Sequence, residues 1–216
     1  PEQIEIIKTW IDEGAEWPDE LAGDVTPPPP DPKAEPILKA LRDGDKQSFK
    51  KLAGENKKVG NLRGAGGTTP LMQAVLYGDA DAVKLLLEQG ADPNLRNDAG
   101  ATALMWAVDD FAKTRLLIEH GADVNARSED ARTPLLIAAG RFANTEVVKL
   151  LLERGADLAA KSPDLRGYQT VLSEAARTGD ESLLRLLIER GANVKTAGAV
   201  ALFNAARTDC AKCFEV

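Results

Sequence analysis

Four times along the 216-residue chain a leucine-rich stretch closes on Gly-Ala and an acidic or amide residue: Gly90-Ala91-Asp92, Gly121-Ala122-Asp123, Gly155-Ala156-Asp157 and Gly191-Ala192-Asn193. A second mark falls between them, at Thr69-Pro70-Leu71, Thr102-Ala103-Leu104, Thr133-Pro134-Leu135 and Thr170-Val171-Leu172, and both marks advance by 31 to 37 residues. Self-similarity at a period of about 33 residues signals a helical repeat array, in which each unit packs only on its neighbours. Such an array has an extended face for a partner and few of the enclosed pockets that chemistry needs.

Within one unit each residue type has a local job. The threonine hydroxyl caps a first helix, and proline at the first helical position loses no hydrogen bond. Leu71 enters the core, small residues such as Ala74 keep the helix slim, and Gly78-Asp79 turns the chain into a second helix buried by Val83, Leu85, Leu86 and Leu87. Gly90 ends that helix because glycine alone adopts the left-handed cap at low cost, and the chain leaves through Asp92 and Asn94 to an exposed turn. An atypical first unit, Ile37 to Arg63, has the helix pair (Leu38, Leu41, Phe49, Leu52, with Gly44-Asp45 at the turn) but no Thr-Pro-Leu, as terminal units tend to. Units at 64–96, 97–127, 128–161 and 162–197 follow, and 198–216 is the front of a sixth. The third is two residues short between its helices (Asp109 to Lys113), and the fifth has an insertion around Ser162 to Gly167.

Thr-Pro-Leu, the Gly-Asp turn, Val-Lys-Leu-Leu-Leu-Glu and Gly-Ala-Asp-x-Asn together resemble ankyrin repeats over residues 37–216. The resemblance implies an all-α solenoid of stacked helix-turn-helix units, and a non-catalytic module that holds a protein partner on a concave face of first helices and turn tips. Carried over position by position, the family's contact sites fall on Leu76, Tyr77, Asp98, Ala101, Asp109, Asp110, Glu129, Arg132, Arg141, Arg166, Gln169 and Arg177. The chain departs from the family after the leucine, where histidine is usual and Met72, Met105, Leu136, Ser173 and Phe203 stand here.

The net charge of -7 is unevenly placed. Residues 1–36 carry ten acidic and two basic side chains, whereas residues 37–216 carry 24 and 25. A neutral array lacks the clustered cations that displace counterions from phosphates, so no nucleic-acid partner is expected. No apolar run reaches the roughly 18 residues of a membrane span, so no membrane insertion is expected.

The acidic front reads as two parts outside the repeat. Ile4, Ile6, Ile7, Trp10 and Ile11 form an apolar stripe on one short helix that needs something to pack on, and Gly14 ends it. Residues 25–36 hold six of the twelve prolines and read as a polyproline spacer, about 3.1 Å per residue. Residues 7–18, Ile-Lys-Thr-Trp-Ile-Asp-Glu-Gly-Ala-Glu-Trp-Pro, are similar to the last helix of bacterial c-type cytochrome domains. That resemblance implies that residues 1–24 end an upstream domain carrying haem c, in an exported or periplasmic electron-transfer protein whose array docks a redox partner. The alternative is a cytoplasmic protein whose N-terminal helix packs on the first repeat. The chain has no Cys-x-x-Cys-His, so no cofactor is expected on the residues themselves.

The remaining chemical candidates read as structure. Cys210-Ala211-Lys212-Cys213 places two thiols one helical turn apart, but Cys213 aligns with a buried Val or Leu position. His120, the sole histidine, stands at a helix end, where a cationic or dipolar group suits the dipole. Met72, Met105 and Trp106 are in phase with the repeat and read as core, Asp109 and Asp110 as a solvated turn, and Gly64-Ala65-Gly66-Gly67 as an exposed turn. No zinc spacing and no nucleophile–histidine pairing is present, so no catalytic or metal site is expected.

Overall fold

Five helix pairs follow one another in the computed structural model, which describes residues 28–164 and 167–195. They are α1 (Ala34–Arg42) with α2 (Lys46–Glu55), α3 (Pro70–Tyr77) with α4 (Ala80–Glu88), α5 (Ala103–Ala107) with α6 (Phe111–Glu119), α7 (Pro134–Ala139) with α8 (Thr145–Glu153), and α9 (Val171–Thr178) with α10 (Glu181–Glu189). The expectations for the terminal helix, Arg166, Phe203, Cys210, Cys213 and the sixth unit lie outside the described residues. The first helices α1, α3, α5, α7 and α9 contact one another in sequence and form an inner row; α4, α6 and α8 do the same in an outer row. One apolar core runs between the rows from Ile37 to Leu187. The repeat leucines sit at its centre, with Leu71, Leu104 and Leu135 at 0% and Leu172 at 5% exposure. Truncating such a residue to alanine costs about 2–5 kcal/mol.

The helix starts follow the sequence with one exception. Thr69 and Thr133 accept backbone N–H bonds from Met72 and Leu136 at 3.3 Å, and Thr170 forms a reciprocal capping box with Ser173. Thr102 is 2% exposed, caps nothing, and leaves its hydroxyl oxygen buried with no partner. Its helix, α5, lacks the initial proline and runs for only five residues before the shortened turn. The fifth unit adds another difference. Its insertion forms a small antiparallel hairpin, β1 (Lys161–Asp164) paired with β2 (Gly167–Thr170), with Ser162 opposite Gln169. The first helix starts at Ala34, inside the stretch read as spacer, and Gly64 and Gly67 are buried although the glycine run reads as an exposed turn.

Side chains of one unit fix the next in three ways. Asn61, Asn94 and Asn125 each donate to the carbonyl of the following cap glycine, Gly90, Gly121 or Gly155, at 2.9–3.1 Å. Their amide oxygens accept from the N–H of Asp92, Asp123 and Asp157 at 2.7 Å. At the tips, the Asp98 N–H donates to Gly66, the Glu129 N–H to Ala99, and the Ser162 hydroxyl to the Asp130 carbonyl. At the other end of the inner helices, Lys113 donates to the Val75 carbonyl, Asn144 to Val108 and Arg177 to Gly140, at 2.8–2.9 Å. Each of these satisfies a helix-end carbonyl that has no partner within its own helix.

The asparagine ladder stops at Ala159, whose backbone otherwise repeats the turn of Asn94 and Asn125. Asn94→Ala should cost about 1 kcal/mol in urea unfolding, because its bonds are exposed and water replaces them. Asn144→Ala should cost more, about 2 kcal/mol, since Asn144 is buried and also donates to Ala138. Ala159→Asn should raise the urea midpoint by extending the ladder to the fifth unit.

Candidate partner-binding face

Counting from each repeat threonine, the fourth and seventh residues lie three apart and share one side of the first helix. They are Gln73 and Leu76, Trp106 and Asp109, Ile137 and Gly140, and Glu174 and Arg177. Residues two, three and five after the threonine on the same helices, such as Leu71, Met72 and Ala74, are buried. Leu76 is 49% exposed, Asp109 and Arg177 are exposed, and Gln73, Trp106 and Ile137 are partly buried, so the row is the open side of the inner helices, closed only at the buried Gly140 and Glu174. Tyr77, at the end of α3, adds an aromatic ring that is 54% exposed. Tip residues Asp98, Ala101, Glu129, Arg132 and Gln169 precede these helices, with Asp98 and Glu129 exposed and the other three partly buried.

Several expected contact residues are already engaged within the chain. Asp98 pairs with Arg63, whose guanidinium also reaches the Pro28 carbonyl and whose own carbonyl accepts from Asp31, so the end of the spacer is fastened to this tip. The Asp110 carboxylate caps α6 through the Lys113 N–H and lies 3.7 Å from the Lys113 ammonium. Asp109 and Arg141 form a pair at 3.2 Å that joins the turns of adjacent units; both side chains are more than half exposed, so the pair is worth under about 1 kcal/mol. Arg177 binds Glu174 at 3.2 Å as well as the Gly140 carbonyl. A side chain on Gly140 would come within 2.6 Å of Glu174 and 2.7 Å of Arg177, so glycine is what admits this pair. Arg177 therefore joins two units and Asp110 caps its own helix, whereas Leu76, Tyr77, Glu129 and Arg132 are not engaged in this way.

Arg132 is singular among them. Its Nε is buried with no hydrogen-bond partner, and it forms no ion pair among the described residues. Gln73 also keeps a buried, unpartnered side-chain oxygen.

Sequence reading missed Trp106 and Ile137 as surface. Trp106 reads as core because it falls in an apolar helical stripe, yet it is only partly buried, lying on the core rather than in it. The available signal was the comparison between units: the same position holds the partly buried Gln73 in the second unit, although its counterpart in the fifth, Glu174, is buried beneath its pairing with Arg177. Phe111, Phe142 and Tyr168, at 44%, 75% and 63% exposure, were likewise not anticipated. His120 is exposed at the end of α6, its Nδ1 2.8 Å from the Leu116 carbonyl. Among the described residues no three His, Cys, Asp or Glu are grouped to hold a metal ion, and no helix is long and apolar enough to cross a membrane.

The family of ankyrin repeats in three copies matches residues 3–97, 37–128 and 96–162, and the single ankyrin repeat matches 168–200. The chain belongs to the ankyrin repeat family. The first match begins at residue 3 and so overlaps the segment that resembles a cytochrome helix. An E3 ubiquitin-protein ligase of Arabidopsis thaliana is 40% identical over 74 residues, which is 34% of this chain and 15% of the ligase. An ankyrin repeat-containing protein of Treponema pallidum is 37% identical over 79 residues, 36% of this chain and 26% of that protein. The human 2-5A-dependent ribonuclease is 38% identical over 72 residues, 33% of this chain and 10% of the ribonuclease. The likeness spans about a third of this chain and between 10% and 26% of each relative. Ankyrin repeats mark a protein–protein interaction module.

The turns of this ankyrin array are also its electrostatic seams. The hydrogen bond from Lys46, at 2.7 Å, holds the Asp79 carboxyl below the usual carboxylate range, and the same contact raises the Lys46 ammonium. Burial pushes Asp180 up, but bonds from the Ser182 hydroxyl, the Leu183 N–H and the Thr145 hydroxyl outweigh it and leave the group lowered. A carboxyl that is more acidic folded than unfolded contributes stability at neutral pH that is lost as pH falls through the carboxylate range. Asparagine keeps the cap bond without the charge. The Asp79→Asn, Asp180→Asn double variant should therefore lose under about 1 kcal/mol near pH 7 and show a flatter decline in melting temperature below about pH 5 than the parent.

Proposed function

We propose that this chain is a non-catalytic module that holds a protein partner on the open side of its inner helices, between the tips and the helix turns. One observation carries the reading: Leu76, Trp106 and Ile137 stand on that side in adjacent units, exposed or partly buried, with Tyr77 exposed at the end of α3 beside a cleft it shares with α2 and α4. Large apolar groups gathered on a surface rimmed by charge are the usual mark of a contact site. The paired charges around them, Asp98 with Arg63 and Asp109 with Arg141, supply a polar rim.

Photo-crosslinking side chains installed singly at Leu76, Tyr77 and Gln73 should capture the same partner band in cells of the source organism. Equivalents at Glu119, Glu153 and Glu189, on the outer helices, should not. Capture from the outer positions alone would place the contact on the other side of the stack and end this reading.

A second reading rests on residues 7–18, with their likeness to the closing helix of a c-type cytochrome domain, and on the proline-rich stretch behind them. In it the array serves an exported or periplasmic electron-transfer protein and positions a haem domain against a redox partner; a cytoplasmic location goes with the first reading alone. A Cys-x-x-Cys-His in the reading frame upstream of Pro1, with haem absorption in the purified longer product, is the expected result. A frame without that motif removes the second reading and leaves the first intact.

A further inference from the structure

Most charges on the open side of the inner helices already have partners: Asp98 takes Arg63, Asp109 takes Arg141, and Glu174 takes Arg177. Arg132 does not. It is partly buried at the base of the fourth unit's tip, its Nε is buried with no acceptor, and no carboxylate among the described residues lies within ion-pair distance. The other groups of the same tip are turned elsewhere: Asp130 takes the Ser128 hydroxyl, and the Ser128 N–H and hydroxyl close on the Arg132 backbone. A buried N–H donor without an acceptor costs free energy that a bound acceptor returns, and the planar guanidinium fork fits a carboxylate better than any other common group.

Two further features place that carboxylate in a longer ligand. Ile137 follows Arg132 on the same unit and Trp106 stands at the same position one unit earlier, both partly buried, while Gly140 adds no side chain beside them. Gln73, a unit beyond Trp106, keeps its buried amide oxygen unpartnered, an acceptor suited to a peptide N–H. Packed helices lie about 8–10 Å apart, so α3 to α7 is roughly 16–20 Å, which about five or six residues of extended chain cover at about 3.3 Å each.

We infer that this face takes an extended peptide segment in which one Asp or Glu side chain is held by Arg132 and a large apolar side chain a few residues away lies on Trp106 and Ile137. The inference rests on the open-face reading above and adds the chemistry of what is bound. Glu129, exposed on the same tip, repels a second negative charge, so the face selects a single acidic position rather than an acidic run.

The test is selection of short random peptides, displayed on phage, against the full 216-residue chain. Enriched peptides should share one Asp or Glu at a fixed distance from an aromatic or large aliphatic residue. A synthetic peptide of that sequence should lose about tenfold in affinity when its acid is changed to the amide. Arg132→Met, which keeps the aliphatic stem and should melt like the parent, should lose the same about tenfold, with little further loss when the two changes are combined. Failure to enrich an acidic position, or undiminished binding by Arg132→Met, overturns the inference. If binding then still falls with Tyr77→Ala and Trp106→Ala, the open-face reading survives; if those variants also bind as the parent does, both fall.

Discussion

A two-helix unit of this length cannot bury its own leucines, and the structure depends on how closely neighbouring first helices can approach to do it together. Ala74, Ala107, Ala138 and Ala175 occupy one repeated position at 0–1% exposure. Their small size lets the inner row close up, which places Leu71, Leu104, Leu135 and Leu172 between consecutive units rather than within one. A larger residue at any of them would push two units apart and open the core on both sides. The stack is therefore cooperative along its length but decided one seam at a time.

Apolar packing sets the spacing of the units but leaves their register loose, and polar side chains supply the register. Asn61, Asn94 and Asn125 each satisfy a carbonyl and an N–H of the next unit, while Lys113, Asn144 and Arg177 satisfy inner-helix carbonyls of the one before. The two sets pull at opposite ends of the helices, so the joints that carry both, between the second and third and the third and fourth units, are fixed against rotation as well as sliding. Where one set stops, at Ala159, the tips compensate with the hairpin of the fifth unit and the bond from Ser162 to the Asp130 carbonyl. A cleft of about 380 Å3, lined by Ala159, Lys161 and Arg190, marks that joint.

The helix pairs, the left-handed glycine caps and three of four threonine caps could be read from the chain, because each depends on one residue type at one place. Gly90, Gly121, Gly155 and Gly191 all take φ near +84 to +92 degrees. What could not be read depends on two units at once. Thr102 alone fails as a cap, on the helix that runs into the shortened turn, whereas Thr170 caps its helix without a following proline. Trp106 looks like core within its own helix and shows its partial exposure only when set against Gln73. Among the candidate contacts, exposure of Leu76 and Tyr77 was legible from position, whereas the pairing of Asp98 with Arg63 and the bond from Arg177 to Gly140 were not, since each of those partners sits in a different element.

The division between structural and open residues has a physical basis. A charged residue at a repeat seam is drawn into the stack wherever a helix-end carbonyl or an opposite charge is within reach, as Arg177 is by Gly140 and Glu174. Arg141 is held more loosely, by one exposed carboxylate. Arg132 has neither, because the tip that carries it closes on its own backbone through Ser128 and leaves the guanidinium without an acceptor. Evolution of a binding array can change such a residue without disturbing the seams, and the same freedom lets Trp106, Ile137 and Leu76 differ from their counterparts in other units. The fold is thus carried by what recurs every 31 to 37 residues, and the recognition proposed for this face by the positions where recurrence fails.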